Sequence, residues 1–323
     1  MTHLFITRQL GTDLSALEAL ATVEVWPDRQ PPPYEVLQQK ISQIDGLLCL
    51  LTDRIDQDLI AAGRSLQVIS QMAVGYDNID IAAATARRIP VGHTPGVLTN
   101  ATADLTWALL MAAARRVVAG DRFTRSGQWQ TWEPNLLLGA DLAGSTLGIV
   151  GLGRIGQAVA RRARGFEMQI LYTGRHRSNP LLEQALGAEF VDFDRLLATS
   201  DFVTIHTPLS TETHHLFSDR QFEQMQSTAI LINTARGSIV DPDALYRALK
   251  NHQIAAAAID VTDPEPIPMT SPLLQLENLI ITPHIGSASV QTRQKMASMA
   301  IANLIAGLKG ERLPDCVNPE VYA

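Results

Sequence analysis

Cysteine is scarce: the 323-residue chain has two, Cys49 and Cys316, and no CxxC pair. That argues against a disulfide framework or a cysteine-built zinc centre. Cys49, inside the apolar run GLLCLL, reads as a buried thiol. No metal site is expected anywhere. An excess of basic charge is also missing. The net charge is −7, which gives no support for a nucleic-acid partner. Long hydrophobic runs are absent as well. The most apolar helical stretch, LTWALLMAAA from Leu105 to Ala114, is too short to span a bilayer and runs into Arg115 and Arg116. The opening MTHLFITRQL has no basic segment followed by an apolar one, so no secretory signal is expected. No solenoid-length repeat and no low-complexity tract occurs. These absences describe a soluble, cytoplasmic protein that binds neither nucleic acid nor membrane.

What is present is ordinary globular composition, 46% hydrophobic and 18% charged, at a length that suggests about two domains. Short apolar runs alternate with helical patterns throughout, the signature of an α/β fold with parallel sheets. HLFIT, ATVEV, GLLCLL, LQVIS and IPVGHT read as strands of a first doubly wound domain. An apolar helix follows over 101–118, with Gly120 as its expected stop. The next stretch, RSGQWQTWEPNLLLGADLAGS, has neither period. It is either a loop packed on its own domain or an arm towards a second subunit. A second series then places strands at 146–150, 169–173, 189–191, 202–206, 229–233, 255–260 and 279–282. A long apolar-faced helix over 290–308 is expected to return to the first domain. The expected division is 1–99 plus 286–323 against 100–285, with a segment at about 120–145 as the arm. The fold expected is two doubly wound parallel-sheet domains, one flavodoxin-like and one Rossmann, with a cleft between them.

GLGRIG fits the dinucleotide pattern G-x-G-x-x-G at Gly151, Gly153 and Gly156. A β run precedes it and an amphipathic helix follows, which is the context the motif needs. The helix start offers unpaired N–H groups to a pyrophosphate. Arg154 is either a phosphate contact or a solvated turn residue. One absence here is chemical. About 20 residues beyond the first glycine an acid usually holds the ribose hydroxyls, yet 170–177, ILYTGRHR, has none. Gly174 leaves room there, and Arg175 and Arg177 bring forked cations that suit a 2′-phosphate. NADP(H) is therefore favoured over NAD(H), with a merely solvated loop as the other reading. His176 either touches that phosphate or faces solvent.

Further polar residues stand where an α/β sheet places its ligands, at the carboxyl ends of strands. Arg236 follows LIN, Asp260 ends AAAID, Glu265 lies in DPEP, and His284 follows LIITP. An arginine fork clamps a carboxylate or polarises a ketone. A histidine delivers a proton to the oxygen of a carbonyl under reduction, and a neighbouring glutamate favours its charged form. Each type alone is more often structural; their joint placement after a dinucleotide motif is what points to carbonyl reduction.

GLGRIG, NTARGSIVDPDAL, AIDVTDPEP and PHIGSAS together resemble the D-isomer-specific 2-hydroxyacid dehydrogenase family over nearly the whole chain. Within it the chain is most similar to the glyoxylate/hydroxypyruvate reductases, through GLGRIGQAVARR, LYTGR and the Trp129/Trp132 segment. The resemblance implies that Arg236 binds substrate carboxylate and carbonyl. It makes His284 the general acid in reduction, Glu265 its partner, and Asp260 a hydrogen-bond partner of the nicotinamide amide. MAVGYDNID matches the family's substrate loop, which gives Val74 and Gly75 the substrate carboxylate; Ser287 and Trp132 join the substrate set. Thr102, Leu152, Ile155, His206, Thr207, Pro208, Thr213, Thr234, Ala235, His284 and Gly286 join the cofactor set. It also implies a homodimer through the nucleotide domains, which favours the arm reading, with Trp132 approaching the partner's site. Glu265 in place of glutamine separates the chain from the related formate dehydrogenases. An end soon after the last helix leaves no room for a regulatory domain such as larger members carry. The expected reaction is NADPH-dependent reduction of glyoxylate or hydroxypyruvate. The alternatives are another D-2-hydroxyacid dehydrogenase and a nucleotide-sensing, co-repressor-like protein.

Overall fold

The computed structural model describes residues 2–323. The chain forms two compact units, Met1–Leu98 with Ala288–Ala323 and Thr99–Ser287. In the first, β1 (His3–Ile6), α1 (Ser15–Glu18), β2 (Thr22–Val25), α2 (Tyr34–Ile41), β3 (Gly46–Cys49), α3 (Gln57–Ala62), β4 (Val68–Gln71), α4 (Ile81–Ala86) and β5 (Val91–Gly92) alternate along the chain. The strands form one parallel sheet in the order β2-β1-β3-β4-β5. β3 and β4 are buried along their whole length, which explains why they read as continuous apolar runs rather than alternating ones. Asp56 and Asp80 cap α3 and α4, each accepting from the backbone N–H three residues on, so both helix starts follow local side-chain chemistry.

The second unit opens with α5 (Thr99–Ala114) and α6 (Val117–Arg125). The expected single helix breaks between them, four residues before Gly120, which lies inside α6. Arg116 takes the left-handed conformation at φ 51°, and the Ala114 carbonyl accepts from Ala140 instead of continuing the helix. No helix or strand forms over 127–145.

A seven-stranded parallel sheet follows. Its chain order is β6 (Thr146–Val150), α7 (Arg154–Ala163), β7 (Gln169–Thr173), α8 (Pro180–Leu186), β8 (Ala188–Phe190), α9 (Phe193–Thr199) and β9 (Phe202–Ile205). Then come α10 (Asp219–Gln224), β10 (Ile230–Asn233), α11 (Pro242–Lys250), β11 (Ala256–Ile259) and β12 (Leu279–Ile281). Its spatial order is β12-β11-β10-β9-β6-β7-β8. The chain thus runs outward from β6 on one side and returns beside β6 with β9, Val150 opposite Ile205. One face packs on α5 and α7 with Trp107, Val159 and Tyr172; the other holds Phe217, Phe222, Leu245 and Leu249.

The last helix, α12 (Val290–Leu308), belongs to the first unit and lies on β3 and β4. The Ser70 hydroxyl donates to the Ala300 carbonyl at 2.8 Å. A methyl on Gly307 would sit 2.5 Å from Val68, so small residues set this close approach. Among the described residues no helix is long and apolar enough to cross a membrane.

Candidate active site

In a doubly wound sheet, ligands bind beyond the carboxyl ends of the strands where the order reverses. Here that point lies between β6 and β9. Gly151 leaves β6 at φ 98°, and a methyl on it would meet the His206 backbone at 2.9 Å. Gly156 packs so tightly that a methyl on it would run into the Gly151 carbonyl oxygen. Gly153 differs: nothing among the described residues comes within 4 Å of the same position. Gly153 is the N-cap of α7, and no side chain caps that helix. The helix start therefore offers backbone donors and positive partial charge beside open space, a cradle that fits a dinucleotide pyrophosphate. Leu152 and Ile155 are half-buried beside it and Arg154 is exposed.

His206, Thr207 and Pro208 follow β9 across the same point. The His206 Nε2 is buried without a partner, and burial pushes the imidazole down to about 3. It is neutral at physiological pH. Thr213 turns back on this segment, its hydroxyl bonded to Pro208 O at 2.8 Å and accepting from Ser210 N.

Beyond β7, Gly174, Arg175, His176 and Arg177 are exposed. The two arginines have different surroundings. Arg177 forks onto Glu183 at 2.8 and 2.9 Å. Glu183 also accepts from the Tyr172 hydroxyl at 2.6 Å, and that hydroxyl accepts from Ser178 N. Arg177 and Tyr172 together hold the Glu183 carboxyl below its ordinary range. An acid does therefore stand near this loop, on α8 rather than at the end of β7, and it is paired. Among the described residues Arg175 has no such carboxylate clamp.

The chemistry-bearing loops follow β10, β11 and β12. Asn233, buried at the end of β10, accepts from Ala235 N and donates to Arg236 O. It fixes the turn that presents Arg236. Thr234 bonds to Thr106 on α5 at 2.9 Å. Asp260 follows β11 with 1% exposure. Its carboxylate accepts from the Thr282 hydroxyl at 2.6 Å, Ile285 N at 2.8 Å and Gly286 N at 2.7 Å, and its carbonyl accepts from His284 N. Asp260, expected to bond the nicotinamide amide, stands among these donors. It holds the turn that carries His284, because three donors of that turn converge on it. His284 needs such support, since it sits at φ 54°, a conformation costly for a non-glycine residue. The His284 Nδ1 lies 2.7 Å from Glu265 Oε1, with side chains 22% and 31% exposed. Gly286 abuts Thr102, whose hydroxyl would be 3.5 Å from a methyl there. Ser287 is half-buried on the same turn.

In the first unit, Val74 and Gly75 follow β4 in a half-buried turn. The Val74 carbonyl is bonded to His93 Nδ1 at 3.0 Å and the Gly75 carbonyl accepts from Gln71. Their N–H groups donate no backbone hydrogen bond among the described residues. Trp132 and Trp129 are 80% and 60% exposed. Sequence reasoning missed Asn233, Thr282 and Glu183. All three act through neighbours, and only the exits of the strands hinted at the first two.

The D-isomer specific 2-hydroxyacid dehydrogenase, NAD binding domain, family model matches residues 107–286. A glyoxylate reductase of Korarchaeum cryptofilum is 50% identical over 321 residues, covering 99% of this chain and 96% of that protein. A crystal structure of a Thermus thermophilus protein superposes with TM-score 0.91 at 46% identity, covering 98% of this chain and 100% of that one. A glyoxylate reductase from Paecilomyes thermophila superposes with TM-score 0.87 at 32% identity, covering 99% of both chains.

Proposed function

Because the chain belongs to the D-isomer-specific 2-hydroxyacid dehydrogenase family, whose members are nicotinamide-dependent oxidoreductases, we propose that it reduces a small 2-oxoacid with NADPH. Glyoxylate and hydroxypyruvate are the substrates, glycolate and D-glycerate the products. The observation that carries this reading is the 2.7 Å His284–Glu265 pair, set on the carboxyl edge of the sheet whose β6 exit forms the phosphate cradle.

A bound reduced nicotinamide dinucleotide supplies the hydride that the carbonyl carbon accepts. The backbone of Leu152, Gly153, Arg154 and Ile155 holds the pyrophosphate, with Thr102 beside it. His206, Thr207, Pro208, Thr213, Thr234, Ala235 and Gly286 line the remainder of the dinucleotide. Gly174, Arg175 and His176 receive the 2′-phosphate, with Arg177 shaping that loop from its Glu183 anchor. Arg236 binds the substrate carboxylate and polarises the carbonyl; the N–H groups of Val74 and Gly75, which donate no backbone hydrogen bond among the described residues, suit a carboxylate oxygen. Glu265 accepts Nδ1–H of His284, which fixes the ring and leaves Nε2 to give its proton to the carbonyl oxygen. Asp260 positions His284 by holding its turn. Ser287 borders the substrate. The exposed Trp129, Trp132 and Leu138 make the 120–145 segment an arm against a second copy, with Trp132 approaching the partner's site.

His284→Ala tests the assignment. We expect kcat to fall by roughly 10²–10⁴-fold, the usual contribution of a general acid, while NADPH binding followed by fluorescence titration is kept. A variant with near-normal kcat overturns it.

A further inference from the structure

Away from the His284 pair, three side chains converge for which no role has been given above. His214 and His215 precede β10 in sequence, and Asp263 lies between Asp260 and Glu265. One ligand atom from each, an imidazole nitrogen or a carboxylate oxygen, falls within 4.8 Å of the other two. The imidazoles stack at 4.0 Å between centroids and 22° between planes, which brings their edges side by side. Among the described residues none of their ring nitrogens, and neither Asp263 oxygen, has a hydrogen-bond or ion-pair partner.

The backbone beneath this cluster is fixed. His215 N donates to Ser238 O, Phe217 N to Ile239 O and Asp241 N to Phe217 O. The segment over 215–217 thus runs as a short parallel partner of 238–241. Gly237 lies against the next loop so closely that a methyl on it would meet the Thr262 carbonyl carbon and Asp263 N, the latter at 2.7 Å. Three loops therefore meet here: the one leaving β9, the one that presents Arg236 and the one that leads to Glu265.

We propose that His214, His215 and Asp263 bind a divalent transition metal of the zinc class. Two imidazoles and one carboxylate are the donors zinc, nickel and copper favour, whereas magnesium and calcium want oxygen alone. Tetrahedral ligands at zinc bond lengths stand about 3.4 Å apart, so rotation of these exposed or half-exposed side chains closes the remaining gap. The fourth position is left to water. A metal held there ties the three loops to one another and stabilises the folded unit by mass action. The site is independent of the reduction chemistry, and neither reading needs the other.

The test is zinc titration of the metal-stripped full-length protein, by calorimetry and by melting temperature. We expect saturable binding, a Tm that rises with zinc, and no competition from magnesium. His214→Ala and Asp263→Asn should each weaken this binding at least about tenfold, as loss of even an outer partner does at metal sites. Both positions are solvent-accessible, and two variants guard against one misfolding. His284→Ala should keep the binding. The proposal fails if zinc does not saturate, if both variants bind like wild type, or if the binding disappears in His284→Ala.

Discussion

Arg175 and Arg177 stand two residues apart on the loop after β7, and of the two only Arg177 is clamped among the described residues, by Glu183, which also accepts from Tyr172. Arg175→Ala should therefore raise the KM for NADPH about 10- to 100-fold, in line with about 1.5–3 kcal/mol for a charged hydrogen bond, and leave the KM for NADH unchanged. Arg177→Ala should lower Tm and change the ratio of the two KM values far less. Steady-state kinetics with both cofactors, and thermal melts, check the pair. Equal effects on the ratio would contradict the division of labour. At this scale the sequence was legible in residue type and, for Glu265 with His284, in partner, but not in the partners of Asp260 and Arg177. Arg236, Glu265 and His284 stood out because strand ends announce ligands. Asp260 also stood out, but its burial beneath Thr282, Ile285 and Gly286 follows from the fold of a turn and not from spacing. His214 and His215 gave no ligand signal, since Asp263 lies far along the chain and on another loop.

The proposed phosphate cradle is a property of an element, the exit of β6 into α7, and its glycines differ in what surrounds them. Gly156→Ala drives a methyl into the Gly151 carbonyl and should destabilise the fold by about 1–3 kcal/mol, as overpacking does. Gly153→Ala meets no chain atom and should melt like wild type, yet lose NADPH affinity because its methyl occupies the approach of the pyrophosphate. Thermal melts beside fluorescence titrations separate the two. A Gly153→Ala variant that binds NADPH normally would place the phosphates elsewhere. Elements were the most legible level. The strands over 146–150 and 169–173 and the helix over 290–308 match the observed bounds, because each apolar run is bracketed by turn or cap residues: Gly144 and Gly151, Glu167 and Gly174, Ser289 and Gly310. The break between α5 and α6 was not legible. It depends on the Ala114 carbonyl turning to Ala140, a contact made across a segment that has no period of its own.

For the whole molecule, pH reports on His206. Its Nε2 is buried and unpartnered, and its imidazole titrates only at about 3 against 6.5 ordinarily. Between those values the unfolded chain binds a proton that the folded one refuses, so stability present above pH 6.5 is lost as pH falls towards 3. The slope from this one group approaches about 1.4 kcal/mol per pH unit. His206→Gln should flatten the pH dependence of denaturant unfolding between pH 6.5 and 4; an unchanged slope would show that His206 does not set it.

Two parallel sheets, one reversing its strand order between β6 and β9, place the loops that carry Gly153, Arg236, Glu265 and His284 at strand ends, and the proposed NADPH preference rests on the missing acid after β7. The most direct measurement is kcat/KM of the wild-type protein for glyoxylate, hydroxypyruvate and pyruvate, each with NADPH and with NADH. The account predicts reduction of glyoxylate and hydroxypyruvate with NADPH clearly ahead of NADH. Failure to reduce any of the three, or NADH used as well as NADPH, would contradict it.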